Sequence, residues 1–299
     1  MERRVNPDLM NQPLVWINGQ FVEYGSAKVS IEDRGFQFCD GIYEVVRAVE
    51  GRFYGFQEHL DRMRRSLHSV EIEVSMSDSD FRRIAERMLA ESHERDATLY
   101  VQITRGAAPR SHAIPPDITP TVIMVLRRLH PVEEAVQTNG IKAITVKDER
   151  WARCDIKLTG LLPNVLAREK ARRAHVEDAI FVRESWVTEG TSTNVFVALN
   201  DELVTPRADH RILKGITRDA VLLLARKSLV KTAERDLAVS ELKAASEVFL
   251  TSTTMEVLPV VEIDHIPVGT GKVGPLTRRL MEGYRDVLHG KAAGESSAP

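Results

Sequence analysis

The stretch WARCDIKLTGLLPNVLAREKA, Trp151 to Ala171, sets an ammonium group among residues that otherwise read as interior. Lys157 stands between Ile156 and Leu158, just ahead of Gly160, Leu161 and Leu162. A lysine in such company is rarely fully buried unless paired, and its amine becomes a useful nucleophile when desolvated. Taken alone, it also fits a structural or surface lysine whose stem covers apolar surface while its head reaches water. The segments on either side decide between these readings, and with them the fold.

Upstream of the stretch, IKAITVKDE reads as a strand, preceded by LHPVEEAVQTNG, a connector with little apolar periodicity. Downstream come a helix in NVLAREKARRAH, strands in DAIFVRES, WVTEG, TNVFVAL and ELVTP, a helix in ITRDAVLLLARKSL and a strand in EVFLTSTT. The first half opens on strand-like runs, PLVWINGQFVEY, AKVSI and YEVVRAVEGRFYGF, broken by NG, DRG and EGR turn signals. EHLDRMRRSLHSVEI then places Leu60, Met63, Leu67 and Val70 at helical spacing, and FRRIAERMLAESHE does the same with Ile84 and Met88. Two further strands, ATLYVQITRG and TPTVIMVLRR, flank the proline-bearing loop AAPRSHAIPPDI. The pattern predicts an α+β protein of two domains: a small α+β domain over 1–130, a larger β-rich domain with packed helices over 131–289, and a disordered tail at 290–299.

A chain of 299 residues has room for two cores. With 41 basic against 43 acidic side chains the net charge is −2, which offers no electrostatic footprint for nucleic acid or an anionic membrane. No apolar run approaches the ~20 residues that span a bilayer, and MERRVNPDLMNQP lacks the apolar core of a secretory signal, so a cytoplasmic location is expected. Cys39 and Cys154 are too few for a disulfide framework and lack metal-ligand spacing; both are expected as reduced core residues, with no metal site.

The common catalytic motifs are missing. VGTGKVG has the wrong spacing for a phosphate loop and carries Val273 where a Ser or Thr is required, so it reads as a turn. No G-x-S-x-G or H-E-x-x-H occurs, and the G-x-G-x-x-G spacing of GTGKVG falls within that same turn. What remains is the company Lys157 keeps: Glu189 in WVTEGTSTNVF, Gly215, Ile216 and Thr217 in LKGITRDAV, and the hydroxyl run of EVFLTSTTMEV.

With EDRGFQFCDGIYEVV, EHLDR, TRGAAPRSH and RWARCDIK in the same order, the chain resembles the fold-type IV pyridoxal-phosphate aminotransferases, and among them the D-amino acid aminotransferases. The resemblance covers all but about the first dozen and last ten residues, and the N-terminal extension acquires no role from it. It implies pyridoxal 5'-phosphate as cofactor and amino acids and 2-oxo acids as substrates. A branched-chain L-amino acid aminotransferase, an (R)-amine transaminase and an aminodeoxychorismate lyase are the alternatives on the same fold.

The resemblance also implies roles. Lys157 would hold the cofactor as a Schiff base and shuttle the substrate Cα proton, and burial would keep its amine reactive. Glu189 would face the protonated ring nitrogen, Leu213 would back the ring, and Ile216, Thr217, Thr253 and Arg62 would bind the phosphate. Helical geometry alone does not separate Arg62 from Arg64 or Arg65. Arg110 and His112, two residues apart in APRSH, would grip the substrate carboxylate together with Tyr43, the loop arriving from the neighbouring subunit of a homodimer. Phe36, Cys39, Thr191 and Thr193 depart from the expected pattern at positions that bear on substrate preference.

Overall fold

The structure, a computed structural model, describes residues 13–291, so the N-terminal extension and positions 292–299 of the expected tail lie outside the described residues. By contact the chain divides into two units. One runs to His130 and takes in Ile156–Gly160; the other comprises Pro131–Asp155 and the chain from Leu161 onward. A linear division at 130/131 therefore misses one feature, because the segment bearing Lys157 packs with the first unit.

The first unit contains β1 (Leu14–Ile17), β2 (Gln20–Val22), α1 (Arg34–Phe38), β3 (Gly41–Val49), β4 (Arg52–Phe53), α2 (Phe56–Ser69), α3 (Asp78–Ser92), β5 (Ala97–Thr104) and β6 (Thr121–Arg128). Its antiparallel sheet has the order β2-β1-β6-β5-β3-β4. Leu60, Met63 and Leu67 of α2 and Phe81, Ile84 and Met88 of α3 form the apolar stripes that close over Val46, Leu99, Val101 and Met124. Ser77 and Asp80 cap α3 reciprocally, which satisfies two backbone donors that the helix cannot. AKVSI, read above as a strand, is irregular, and Val29 and Ile31 are exposed. The chain there is heading into α1, whose N-cap Asp33 accepts from the Gly35 N–H, and among the described residues no strand pairs with it.

The second unit contains α4 (Glu134–Asn139), β7 (Ile141–Lys147), α5 (Leu162–Arg173), β8 (Asp178–Arg183), β9 (Trp186–Gly190), β10 (Asn194–Leu199), β11 (Glu202–Thr205), α6 (Ile216–Lys227), β12 (Lys231–Glu234), β13 (Leu237–Ala238), α7 (Val239–Ala244), β14 (Glu247–Ser252), β15 (Glu256–Ile263), β16 (Ile266–Pro267) and α8 (Pro275–Leu288). Its mixed sheet has the order β12-β11-β10-β14-β15-β7-β8-β9-β13, with β16 paired to β15. β7 and β8 run parallel, with α5 in the connection that parallel neighbours require. The connector LHPVEEAVQTNG holds the short α4, and VGTGKVG forms the expected turn. The α+β class holds, with sheet and helices in both units.

Two further expectations need correction. Cys154 is buried, but Cys39 is exposed: it is the C-cap of the short helix α1, in the left-handed conformation at φ 57°, and not a core position. Leu161 and Leu162 are not interior residues, because α5 buries the face bearing Ala167 and Ala171 and leaves Leu162, Val165 and Leu166 outside. Among the described residues no helix is long and apolar enough to cross a membrane.

Candidate active site

In the first unit, Lys157 lies on a short extended run laid against the start of β3. The Tyr43 N–H donates to the Lys157 carbonyl at 3.0 Å, the Thr159 N–H to the Gly41 carbonyl at 3.1 Å, and Ile42 bridges Leu158. Alternation along an extended chain sends Ile156 into the core and Lys157 to the opposite face. Lys157 is half-buried, with its Nζ 4.2 Å from the centroid of the Tyr43 ring. Tyr43 stacks on Tyr100, ring centroids 5.7 Å apart, and burial pushes the Tyr100 hydroxyl up to about 12. Among the described residues no carboxylate pairs with Lys157, so its amine is steadied by a π face and not by a counter-ion.

Arg62 occupies the buried face of α2, whereas Arg65 is exposed and Arg64 is bound to Asp78 and the Met76 carbonyl. Its guanidinium forks onto Glu44, with Nε at 2.6 Å and Nη2 at 2.8 Å, and the His59 Nδ1 stands 2.9 Å from the same carboxylate. Burial raises the Glu44 pKa, but the charge and hydrogen bonds of Arg62, helped by His59, outweigh it and hold the carboxyl well below its usual range. Burial likewise depresses His59, against the pull of Glu44, so the ring stays neutral near pH 7. Glu44 was missed in the sequence, although the parity of β3 gives it away: Ile42, Glu44, Val46 and Ala48 share the inward face, and a carboxylate there demands a partner.

Arg110 and His112 are exposed on the loop between β5 and β6, and both approach the Phe38 ring. The structure therefore brings this pair together. The same first unit carries Lys157, Tyr43 and Arg62.

The remaining site candidates belong to the second unit. Glu189, at the end of β9, is 6% exposed and accepts from the Arg150 Nη1, from the Leu213 N–H at 3.0 Å and from the Asn194 Nδ2 at 3.3 Å. Arg150 is itself forked onto Asp148 at 2.9 Å through both Nε and Nη2, and lies over the Phe181 ring. Burial acts against the guanidinium charge, but Asp148 and Glu189 outweigh it and raise its pKa. Arg150 and Asn194 were also missed; both lie inside quoted motifs, where only their contacts reveal a task.

Asn194 is the joint of this unit's site. Its Nδ2 also donates to the Leu213 carbonyl at 2.8 Å, which pins the turn leading into α6 against Glu189. Gly215, the N-cap of α6, supplies no side-chain cap, so the first N–H groups of Ile216 and Thr217 point out of an uncapped helix start. Asn194 pairs in register with Thr251 of β14, whose buried Oγ1 has no hydrogen-bond partner among the described residues, and Thr253 lies in the turn that follows. An uncapped helix N-terminus beside hydroxyl groups fits a phosphate, and a buried carboxylate fits a protonated ring nitrogen. The residues of this unit therefore fit a pyridoxal phosphate.

A Cβ on Gly215 would come 2.1 Å from the Asn194 Oδ1, and that amide cannot step aside while it holds Glu189 and Leu213. Gly215→Ala should destabilise the protein by about 1–3 kcal/mol through overpacking, since φ is −73° and the backbone itself is unstrained. Thermal unfolding checks this, and in an Asn194→Ala background the same substitution should cost less. An unchanged unfolding temperature would show that the turn is looser than these contacts require.

The family model for amino-transferase class IV matches residues 41–263. D-alanine aminotransferase from Staphylococcus haemolyticus is 39% identical over 280 residues, covering 93% of this chain and 99% of that one. The protein of the same description from Bacillus licheniformis is 39% identical over 279 residues, covering 93% and 98%. Among solved structures, the branched-chain amino acid aminotransferase of Escherichia coli superposes with a TM-score of 0.89 at 24% identity, covering 95% of this chain and 97% of that one. The branched-chain amino acid aminotransferase of the archaeon Thermoproteus uzoniensis, solved with norvaline, gives a TM-score of 0.85 at 24% identity, covering 93% and 95%. The chain belongs to the class IV aminotransferases.

Proposed function

We propose that this aminotransferase uses pyridoxal 5'-phosphate to move the amino group of a D-amino acid, D-alanine or D-glutamate, to a 2-oxo acid. The observation that carries this reading is the buried Glu189 carboxylate, fixed by Arg150, Asn194 and Leu213 beside an uncapped helix start. The D-configured donor is supported by the relatives matched along 93% of the chain, which are D-alanine aminotransferases.

When bound, the cofactor supplies an aldehyde that captures the amino group and a ring that accepts the electron pair left at Cα. Lys157 Nζ would hold the cofactor covalently and, freed when the substrate amine takes its place, would move the proton from the substrate Cα to the cofactor's aldehyde carbon. Glu189 would face a proton on the ring nitrogen, with Arg150 as its ion-pair partner. The Ile216 and Thr217 N–H groups, the Thr253 hydroxyl and Arg62 bind the phosphate, and Leu213 backs the ring. Arg110 and His112, with Tyr43, hold the substrate carboxylate. The loop bearing Arg110 and His112 acts from the neighbouring subunit of a homodimer, a reading supported by exposed apolar side chains at Leu162 (67%), Val165 (59%) and Leu166 (53%) on α5 and at Phe36 (76%) in the first unit. Two free cysteines support a reducing, cytoplasmic setting.

Single-turnover half-reactions on the purified holoenzyme test the donor. D-Alanine should convert the bound cofactor to its amine form faster than L-leucine does. If L-leucine is the faster donor, the D-specific reading falls and a branched-chain L-amino acid aminotransferase, the description carried by the superposed structures, takes its place. Pyruvate released from aminodeoxychorismate would point to the lyase.

A further inference from the structure

The motif EDRGFQFCDG has no part in the chemistry so far, yet it is among the most heavily bonded segments of the first unit. Asp33, 1% exposed, accepts from the Thr104 hydroxyl at 3.0 Å and from the Thr121 hydroxyl at 2.7 Å, which ties together the two stems of the loop that carries Arg110 and His112. Gly106, at φ 111°, lets those stems approach so closely that a Cβ there would meet the Thr119 carbonyl at 2.0 Å. The Arg34 N–H donates to the Gly106 carbonyl at 2.8 Å and the Ala108 N–H to the Glu32 carbonyl at 3.1 Å, so the loop leaves β5 along the α1 entry.

Arg34 then reaches the tip. Its side chain is 5% exposed; Nη1 donates to the carbonyls of Ser111 at 2.5 Å and Ala113 at 3.4 Å, and Nη2 to that of His112 at 3.4 Å. Its Nε is braced by Asp40 at 2.8 Å, and Asp40 is shared with Arg105, whose Nη atoms bond the Glu71 and Val70 carbonyls. Phe38 completes the seat. The guanidinium carbons of Arg34 and of Arg110 each lie 4.9 Å from its ring centroid, and the His112 ring stands 5.4 Å away, tilted by 44°.

We propose that Arg34 and Phe38 are positioning residues for the substrate-carboxylate donors: Arg34 fixes the backbone of Ser111 to Ala113, and the Phe38 ring seats the Arg110 and His112 side chains that this backbone presents. The proposal rests on the carboxylate reading of Arg110 and His112. Its physical content is preorganisation. An exposed arginine and histidine on an unsupported loop would have to be ordered by each incoming substrate, whereas here the peptide carbonyls and the π face have ordered them already. Cys39 and Phe36, which depart from the expected pattern, flank this seat without entering it.

Steady-state kinetics of the holoenzyme with D-alanine test the proposal. Arg110→Ala alone should raise KM by about ten- to a hundredfold, as loss of a charge-assisted contact does. Phe38→Leu should raise KM by about three- to tenfold, with kcat and bound cofactor unchanged, and Phe38→Tyr should restore it. Arg34→Lys, which keeps the charge beside Asp40 but not the fork, should raise KM in the same way, and serves if Phe38→Leu fails to fold. In an Arg110→Ala background the Phe38→Leu factor should shrink to the part carried by His112. A full, undiminished factor in that background would mean that Phe38 acts through general structure, and a wild-type KM in Phe38→Leu and Arg34→Lys would overturn the proposal outright. An Arg110→Ala protein with unchanged KM would instead remove the carboxylate reading, and this inference with it.

Discussion

Lys157→Ala should lower amino transfer between D-alanine and 2-oxoglutarate by about four decades, the upper end of what a positioned acid–base group contributes, and should leave no lysine linked to the cofactor after borohydride reduction. The fold should survive. The main-chain bonds of this segment, Tyr43 N–H to the Lys157 carbonyl and Lys157 N–H to the Ser66 hydroxyl at 3.3 Å, do not involve the ammonium group. What folding loses is the contact with the Tyr43 ring, worth about 0.5–1 kcal/mol. Four decades of rate correspond to about 5 kcal/mol of barrier, so the chemical effect dominates and the two measurements separate it from misfolding. Small primary amines added to the variant should restore part of the rate, since they supply the missing base. A Lys157→Ala protein that transaminates at nearly the wild-type rate would refute the assignment.

The part of this architecture that was legible in the sequence is the part written in local period. The stripes of α2 and α3 and the alternation of β3 and β5 follow from burying one face of a regular element, and the apolar runs of β8 and β10 from burying both. The β-branched AKVSI run misled because propensity without a pairing strand does not make a sheet. Leu161 and Leu162 misled because apolar character does not say which face of α5 turns inward; Ala167 and Ala171 take that face. The site was legible as residue types in order, and illegible as contacts. Nothing in the linear pattern shows that Ile156–Gly160 leaves its sequence neighbours to lie along β3, or that one amide, Asn194, joins Glu189 to the turn before α6. Long-range pairing decides both. Which of Arg62, Arg64 and Arg65 faces inward is a middle case: helical spacing leaves it open, and packing α2 on β3 buries Arg62 against Glu44 while Arg64 pairs with Asp78.

Glu189→Gln should reduce turnover by about two to three decades while the cofactor stays covalently held on Lys157, because what is lost is a preorganised charge and not a binding group. The amide is the same size as the carboxylate, and its oxygen can still accept from the Leu213 N–H and the Asn194 amide. Arg150 gives up one anion but keeps its two-pronged bond to Asp148, so the variant does not strand a buried guanidinium. Stability should therefore fall far less than activity. A neutral amide cannot hold a proton on the ring nitrogen, so the penalty falls on the step in which the Cα proton leaves, and α-deuterated D-alanine should show a larger kinetic isotope effect than with the wild type. Arg150→Met serves as the contrast: it removes the cation that bonds both Asp148 and Glu189, so that two buried carboxylates each lose a charged partner, and it should cost folding as well as rate. If Glu189→Gln turns over normally, with an unchanged isotope effect, then the carboxylate stabilises only the turn before α6 and the ring nitrogen must find its partner elsewhere.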